Sequence, residues 1–311
     1  MRIAVFGSGG VGGYFGGRLA QAGEEVTFIA RGQHLKTMQS EGLRVDSIQG
    51  DFRVKPVQAT EDPRQIGEVD IVLVAVKAWQ VPEAALAMQP LMGLDTGVIP
   101  LGNGVDAPTQ LAKILGLERV LGGLCHISAL LAGPGHIKHV GIEPNVAFGE
   151  LDNHLSGRVH RLRQAFERAG VRVEVPDSIH RAMWEKFTFI AALSGVGAVA
   201  RAPVGVLRSL PETRQMLEQA IQEIITLAQA RRIDLLVNTA ARTMTKIDRL
   251  GPGVLASMQR DIMDGRPSEL EAQNGAVVRM AGEDNIPVPL HTFLYHSLLP
   301  QEQRARRQLE Y

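Results

Sequence analysis

A strand that runs straight into a glycine turn and then a helix leaves a chain few folds to choose from, and residues 1–31 have that order. Arg2-Ile3-Ala4-Val5-Phe6 reads as a short buried strand and Gly7-Ser8-Gly9-Gly10-Val11-Gly12 as the turn. An apolar-periodic helix follows through Leu19 and Ala20, and Val26-Thr27-Phe28-Ile29-Ala30 reads as a second strand. The glycine spacing alone is weak evidence; between a strand and a helix it marks a dinucleotide-binding unit. Gly7 permits the sharp turn, Gly9 lets backbone approach a pyrophosphate, and Gly12 lets helix and strand pack closely. The whole hexapeptide, with Ser8, Gly10 and Val11, is expected at the cofactor, where helix N–H groups and the dipole favour phosphate.

The second strand ends in Arg31. NAD sites usually carry Asp or Glu here, accepting from the ribose 2′-hydroxyl, whereas a guanidinium suits a 2′-phosphate. One charge-assisted bond of this kind is worth about 1.5–3 kcal/mol, or about 10- to 150-fold in favour of NADP. A surface arginine that merely ends a strand is the competing explanation.

At 311 residues, two domains are expected. Lys and Arg number 33, and so do Asp and Glu, so nothing favours nucleic acid or an anionic membrane as partner. The single cysteine, Cys125, lies in an apolar run and reads as a buried structural thiol suited to a reducing compartment. The chain opens on a core strand, which leaves no room for a signal peptide. Its longest apolar stretch, Ile190 to Ala200, is too short and glycine-rich to cross a bilayer. A soluble, cytoplasmic protein is expected.

Alternating segments near Leu43–Val45 and Phe52–Val54 suggest a hairpin, and Asp70 to Val76 a central buried strand ending at Lys77. A helix over Trp79–Met88 and a strand over Gly97–Leu101 follow, the latter running into Gly102-Asn103-Gly104. Asp106 is placed to cap a helix to Leu115; Val120–Ile127 and Val146–Phe148 read as further strands, and His136–Val140 as part of a second hairpin. Beyond Pro176 the texture becomes helical, at Ser178–Leu193, Glu212–Arg231, Asn238–Asp248, Ser268–Met280 and His291–Gln308. The expected architecture is α/β: a Rossmann-type doubly wound sheet over 1–176, then an all-α substrate and catalytic domain over 177–311.

In such sheets ligands lie outside the carboxyl ends of the strands. Lys77 and Asn103 fall there, although ordinary loop polarity explains either. Lys186 sits in an apolar helix before Phe187, Phe189 and Ile190. A lysine beside a cofactor cleft can protonate a carbonyl oxygen, and spacing alone equally allows a snorkelling surface lysine. Ser268 with Glu271 forms a candidate capping box, leaving Glu269 free to reach a ligand. His136 and His139 have ligand-like spacing without a nearby cysteine or carboxylate pair, so no metal site is expected.

Taken together, the GSGGVG turn, the strand ending in Lys77, Gly-Asn103-Gly, Trp184-Glu185-Lys186, and Ser257-Met258 through Asp261 to Glu269 resemble the ketopantoate reductase (2-dehydropantoate 2-reductase) family over nearly the whole chain. The resemblance implies NADPH-dependent reduction of a 2-oxo acid to a 2-hydroxy acid, a step in pantothenate biosynthesis. It makes Lys186 the proton donor, Asn103 a contact to both cofactor and substrate, Lys77 and Glu269 residues on the cofactor side, and Ser257 a substrate contact. The partner is then a small-molecule 2-oxo acid, and the helical half leaves apolar surface for a homodimer.

The sequence departs from the family pattern at Ile190, Ser194 and Val254, where substrate-binding asparagines are expected. These changes make the pocket more apolar and leave open a reductase of a different 2-oxo acid. A non-catalytic NADP-binding regulator is the alternative from another functional class.

Overall fold

The structure, a computed structural model, describes residues 1–309. The last two residues of the second expected domain lie outside the described residues. The described chain divides into two compact units, Met1–Gly102 with Ala107–Ile179, and Asn103–Asp106 with His180 onward.

The first unit is built as β1 (Arg2–Phe6), α1 (Gly10–Gln21), β2 (Glu25–Ile29), α2 (Gly32–Glu41), β3 (Leu43–Ser47), β4 (Phe52–Val54), β5 (Gln58–Thr60), β6 (Val69–Val74), α3 (Val81–Ala87), β7 (Met92–Pro100), α4 (Ala107–Leu115), β8 (Leu121–His126), β9 (Ala129–Gly133), β10 (His136–His139), β11 (Asn145–Glu150), α5 (Gly157–Arg168) and β12 (Arg172–Glu174). Five strands form one sheet in the order β5-β2-β1-β6-β7, and every pairing in it is parallel. Ile3, Val5, Ile71, Val72 and Leu73 are buried, as strands covered on both faces require. The chain winds from β1 to β2 on one side and reaches β6 on the other. The carboxyl end of β1 is therefore the topological switch point, where such sheets open a crevice for a ligand.

Two smaller sheets, β4-β3-β10-β9 and β12-β11-β8, complete the unit. The expected hairpins are present: β3 pairs antiparallel with β4, and β9 with β10. Helix α5 was not anticipated. It turns Val159, Leu162, Ala165 and Phe166 inward, and Phe166 meets Phe15 and Phe148 with ring centroids 6.1 and 6.0 Å apart. Ser156 caps this helix by accepting from the Val159 N–H at 3.2 Å. Cys125 is buried, and its thiol donates to the Leu101 carbonyl.

The second unit contains α6 (Ile179–Ala200), whose first residue still belongs to the first, then α7 (Val204–Ser209), α8 (Pro211–Ala230), α9 (Thr239–Asp248), α10 (Ser257–Met263), α11 (Ala276–Asp284) and α12 (Pro289–Ala305). Helix α6 runs seven residues beyond the expected end at Leu193. It is apolar on most sides because other helices surround it. Leu193 and Val196 pack with Leu217, Ile221 and Ile247, while Trp184, Phe187 and Ala191 pack with Ile224, Leu227 and Val277. No helix among the described residues is long and apolar enough to cross a membrane.

The Ser268–Glu271 capping box is not formed. Ser268 donates to the buried Glu302 and accepts from the Leu270 N–H. Glu271 instead accepts from Arg279 and Tyr295, and residues Glu271–Gly275 form a π-helical turn before α11. A distant acceptor for the serine hydroxyl, the buried Glu302 side chain of α12, overrides the local motif.

Candidate functional site

The glycine turn has the shape of an anion cradle. Gly7 has φ +98°, and a Cβ there would lie 2.9 Å from the Ala75 carbonyl just past β6. At Gly12 a Cβ would stand 2.0 Å from the Gly7 oxygen, so α1 can begin this close to β1 only with glycine. Gly9 is the N-cap of α1 and supplies no side-chain cap, and nothing lies within 4 Å of where its Cβ would be. An uncapped helix start facing open space at Gly9 fits a dinucleotide pyrophosphate. Gly10 has a different constraint: a Cβ there would meet the Ala129 carbonyl of β9 at 2.3 Å. Ser8 is buried and Val11 partly so.

Arg31 stands just after β2 as the N-cap of α2. Its guanidinium lies 3.4 Å from Glu83, and both side chains are about two-thirds exposed at 68% and 69%. Such a pair holds the arginine only loosely and can yield to a phosphate. Lys77 follows β6, its backbone N–H donating to the Gln80 side chain and its ammonium lying 5.8 Å from the Trp79 ring centroid.

His34, which sequence reasoning passed over, touches the turn directly. Its Nε2 lies 2.9 Å from the Ser8 carbonyl oxygen, and its Nδ1 accepts from the Gly135 N–H at 2.9 Å. Helical periodicity assigns His34 only to a half-buried face, so its partners were not readable. His136 and His139 bond to Asp46 and Ser47. Among the described residues no group of three or more His, Cys, Asp or Glu is arranged to hold a metal.

In the second unit, the four residues Asn103–Asp106 sit among its helices. Asn103 Nδ2 donates to Glu269 Oε2 at 3.0 Å, joining residues 166 positions apart. Gly104, at φ +100°, brings this loop so close that a Cβ would lie 2.9 Å from the Ala272 oxygen. Arg279 bonds both Asp106 and Glu271. Glu269 is buried and engaged with Asn103, so it is not the free first-turn carboxylate expected. The π-helical turn beyond it buries Gln273 and Asn274. Both polar atoms of the Gln273 side chain and the Asn274 carbonyl oxygen have no partner among the described residues. Single-turn π-bulges recur at functional sites, and the only sequence signal here was two amides lodged before an apolar helix.

Lys186 is half-buried on α6, between the buried Trp184 and Phe187. Phe189, one turn on, carries the Lys246 ammonium 4.4 Å from its ring centroid. Burial and the Lys186 ammonium push the Lys246 amine below the ordinary lysine range, opposed by Glu185. Glu185 is 3.5 Å from Arg242, so α6 and α9 share a cluster of charges that the sequence did not reveal. Ile190 is half-buried and Val254 exposed. Ser194 is fully buried, and its hydroxyl has no partner among the described residues. Ser257 opens α10, which is tied to the end of α6 by Gln259 donating to the Gly197 and Ala202 carbonyls.

Two family models match the sequence, ketopantoate reductase PanE/ApbA over residues 3–153 and its C-terminal counterpart over residues 178–302. An uncharacterized oxidoreductase, YkpB, of Bacillus subtilis strain 168 is 29% identical over 301 residues, covering 96% of this chain and 98% of that protein. A 2-dehydropantoate 2-reductase of Nostoc sp. PCC 7120 is 28% identical over 301 residues, covering 96% and 94%. Among solved structures, a PanE/ApbA family ketopantoate reductase from Ralstonia eutropha JMP134 superposes with a TM-score of 0.90 at 30% identity, covering 98% of this chain and 100% of that one.

Proposed function

The chain belongs to the ketopantoate reductase family, and from that premise we propose that it reduces 2-dehydropantoate to pantoate, with Lys186 as proton donor. It is an NADP-dependent oxidoreductase of the class that reduces a 2-oxo acid at its carbonyl, and an enzyme rather than a regulator.

When bound, NADPH supplies the hydride that reaches the carbonyl carbon of the substrate. The residues of this chain do the rest. The N–H groups at the start of α1 hold the pyrophosphate, and Arg31 leaves Glu83 for the 2′-phosphate. Lys77 and Glu269 line the cofactor side. Asn103, oriented by its bond to Glu269, presents its remaining amide capacity to cofactor and substrate. Ser257 binds the substrate carboxylate. Lys186 hands a proton from its Nζ to the carbonyl oxygen, so that the C=O becomes CH–OH and the neutral amine then regains a proton from water.

The observation that carries this assignment is the Asn103–Glu269 hydrogen bond, which joins two sequence blocks of the family resemblance at 3.0 Å. A second reading, reduction of a more apolar 2-oxo acid, is favoured by Ile190, Ser194 and Val254 standing where amides would bind hydroxyl groups. Sites built to bond a hydroxyl discriminate far more strongly than apolar ones. Measuring kcat/KM with NADPH for 2-dehydropantoate beside apolar 2-oxo acids decides between them. A higher value for an apolar substrate overturns the first reading, and no NADPH oxidation with any oxo acid overturns both.

A further inference from the structure

We propose that His34 is a positioning residue of the cofactor site, a clamp whose neutral imidazole joins the glycine turn to the β9–β10 turn and aims the Gly9 N–H at the phosphates. The proposal rests on the reading that the pyrophosphate lies over Gly9.

The geometry fixes the tautomer. Gly135 N–H points at Nδ1 from 2.9 Å, so Nδ1 has no hydrogen and accepts. The ring hydrogen is then on Nε2, which donates to the Ser8 carbonyl at 2.9 Å. A protonated ring would set Nδ1–H against the Gly135 N–H. In keeping with this, burial pushes His34 below the ordinary histidine value, although the Ser8 carbonyl opposes it. The charged and titratable groups on the surrounding elements are engaged elsewhere or face solvent: Arg31 on Glu83, His136 on Asp46, and an exposed Lys36.

Peptide planarity turns this bond into a phosphate-binding device. The Ser8 carbonyl and the Gly9 N–H belong to one planar trans unit and point in opposite directions. Holding the oxygen on His34 therefore directs the Gly9 N–H away from α2. It also keeps the negative end of that peptide from rotating toward an anionic ligand. Ser8 follows Gly7, whose positive φ gives the turn backbone freedom that a clamp must remove. His34 lies one turn beyond Arg31 on α2, so the same helix steadies the pyrophosphate turn and carries the group assigned to the 2′-phosphate.

The test compares H34L, H34Q and G9V in the full-length chain by NADPH fluorescence titration, steady-state kinetics and thermal melting. H34L is expected to raise the NADPH Kd and KM about tenfold, the worth of one or two neutral hydrogen bonds. Its kcat at saturating NADPH and its KM for the oxo acid should stay unchanged. H34Q carries one donor and one acceptor and should bind within about threefold of wild type. The clamp is overturned if H34L binds NADPH like wild type, or if H34Q is as weak as H34L while both melt normally. Should H34L fail to fold, H34N, too short to reach both partners, takes its place; an unchanged Kd for H34N also overturns the clamp. G9V separates the two levels of argument. Normal binding by G9V removes the pyrophosphate from Gly9, whereas lost binding by G9V with normal binding by H34L removes only the clamp.

Discussion

At the scale of single residues, the assigned chemistry comes down to one amine and one guanidinium. Lys186 is half-buried beside Trp184 and Phe187, and replacing it by alanine should lower kcat by about 10²–10⁴, the range of a lost general acid, with little change in NADPH affinity. Turnover retained by K186A in a stopped assay would remove the lysine from the mechanism. Arg31 tests cofactor choice. R31E should shift the ratio of kcat/KM for NADPH over NADH by about 10- to 150-fold toward NADH, while E83Q, which frees the arginine, should leave NADPH preferred. Both residues are conspicuous as candidates in the sequence, because one stands where the βαβ unit places its ribose reader and the other interrupts an apolar helix. His34, Lys246 and the Asn103–Glu269 bond are not. Each depends on a partner distant in the chain: Gly135 and Ser8 for His34, Phe189 for Lys246, and 166 residues of separation for the bond.

At the scale of elements, the structure follows local pattern where burial repeats regularly and leaves it where a distant polar group intervenes. Helix α5 was missed because its exposed positions carry four arginines or histidines, His160, Arg161, Arg163 and Arg168, that mask the inward positions Val159, Leu162 and Phe166. Helix α12 shows the opposite case, an N-terminus without a local cap. Glu223 of α8 serves instead, accepting at 2.9 Å from the Leu290 N–H, the His291 N–H and the His291 ring. Burial opposes ionisation of this carboxyl, but these bonds outweigh it and hold its pKa below the ordinary value of 4.5. Its contribution is therefore present above that value and lost as pH falls through the lower folded one. E223Q should cost about 2–3 kcal/mol at neutral pH, since charge-assisted bonds to buried donors are lost. Urea melts should show the gap between variant and wild type closing as pH falls below 4.5. A gap independent of pH would mean that the carboxyl is not ionised in the folded chain.

At the scale of the whole molecule, the change from strand to helix patterning near Pro176 was readable because periodicity reports each segment on its own terms. Membership in a unit is another matter. The tetrapeptide Asn103–Asp106 follows β7 in sequence and yet belongs with the helices, held by Glu269, Ala272 and Arg279. No window of sequence contains that information, because the partners follow more than 160 residues later. This placement makes a prediction about cofactor binding that concerns both units. If NADPH contacts only the glycine turn and Arg31, its protection against amide exchange will stay within residues 1–102 and 107–179. If Asn103 and Glu269 are also cofactor contacts, protection will extend to residues 103–106 and to the π-helical turn at Glu271–Gly275. At a concentration of 100 times Kd the bound chain gains about 2.7 kcal/mol, enough to slow exchange about a hundredfold wherever opening must release the ligand. The expected outcome of exchange measured by mass spectrometry is protection in both sets of peptides, with the segment at 103–106 losing it selectively in E269A. Protection confined to the first unit would withdraw Asn103 and Glu269 from the cofactor and leave their hydrogen bond a structural tie.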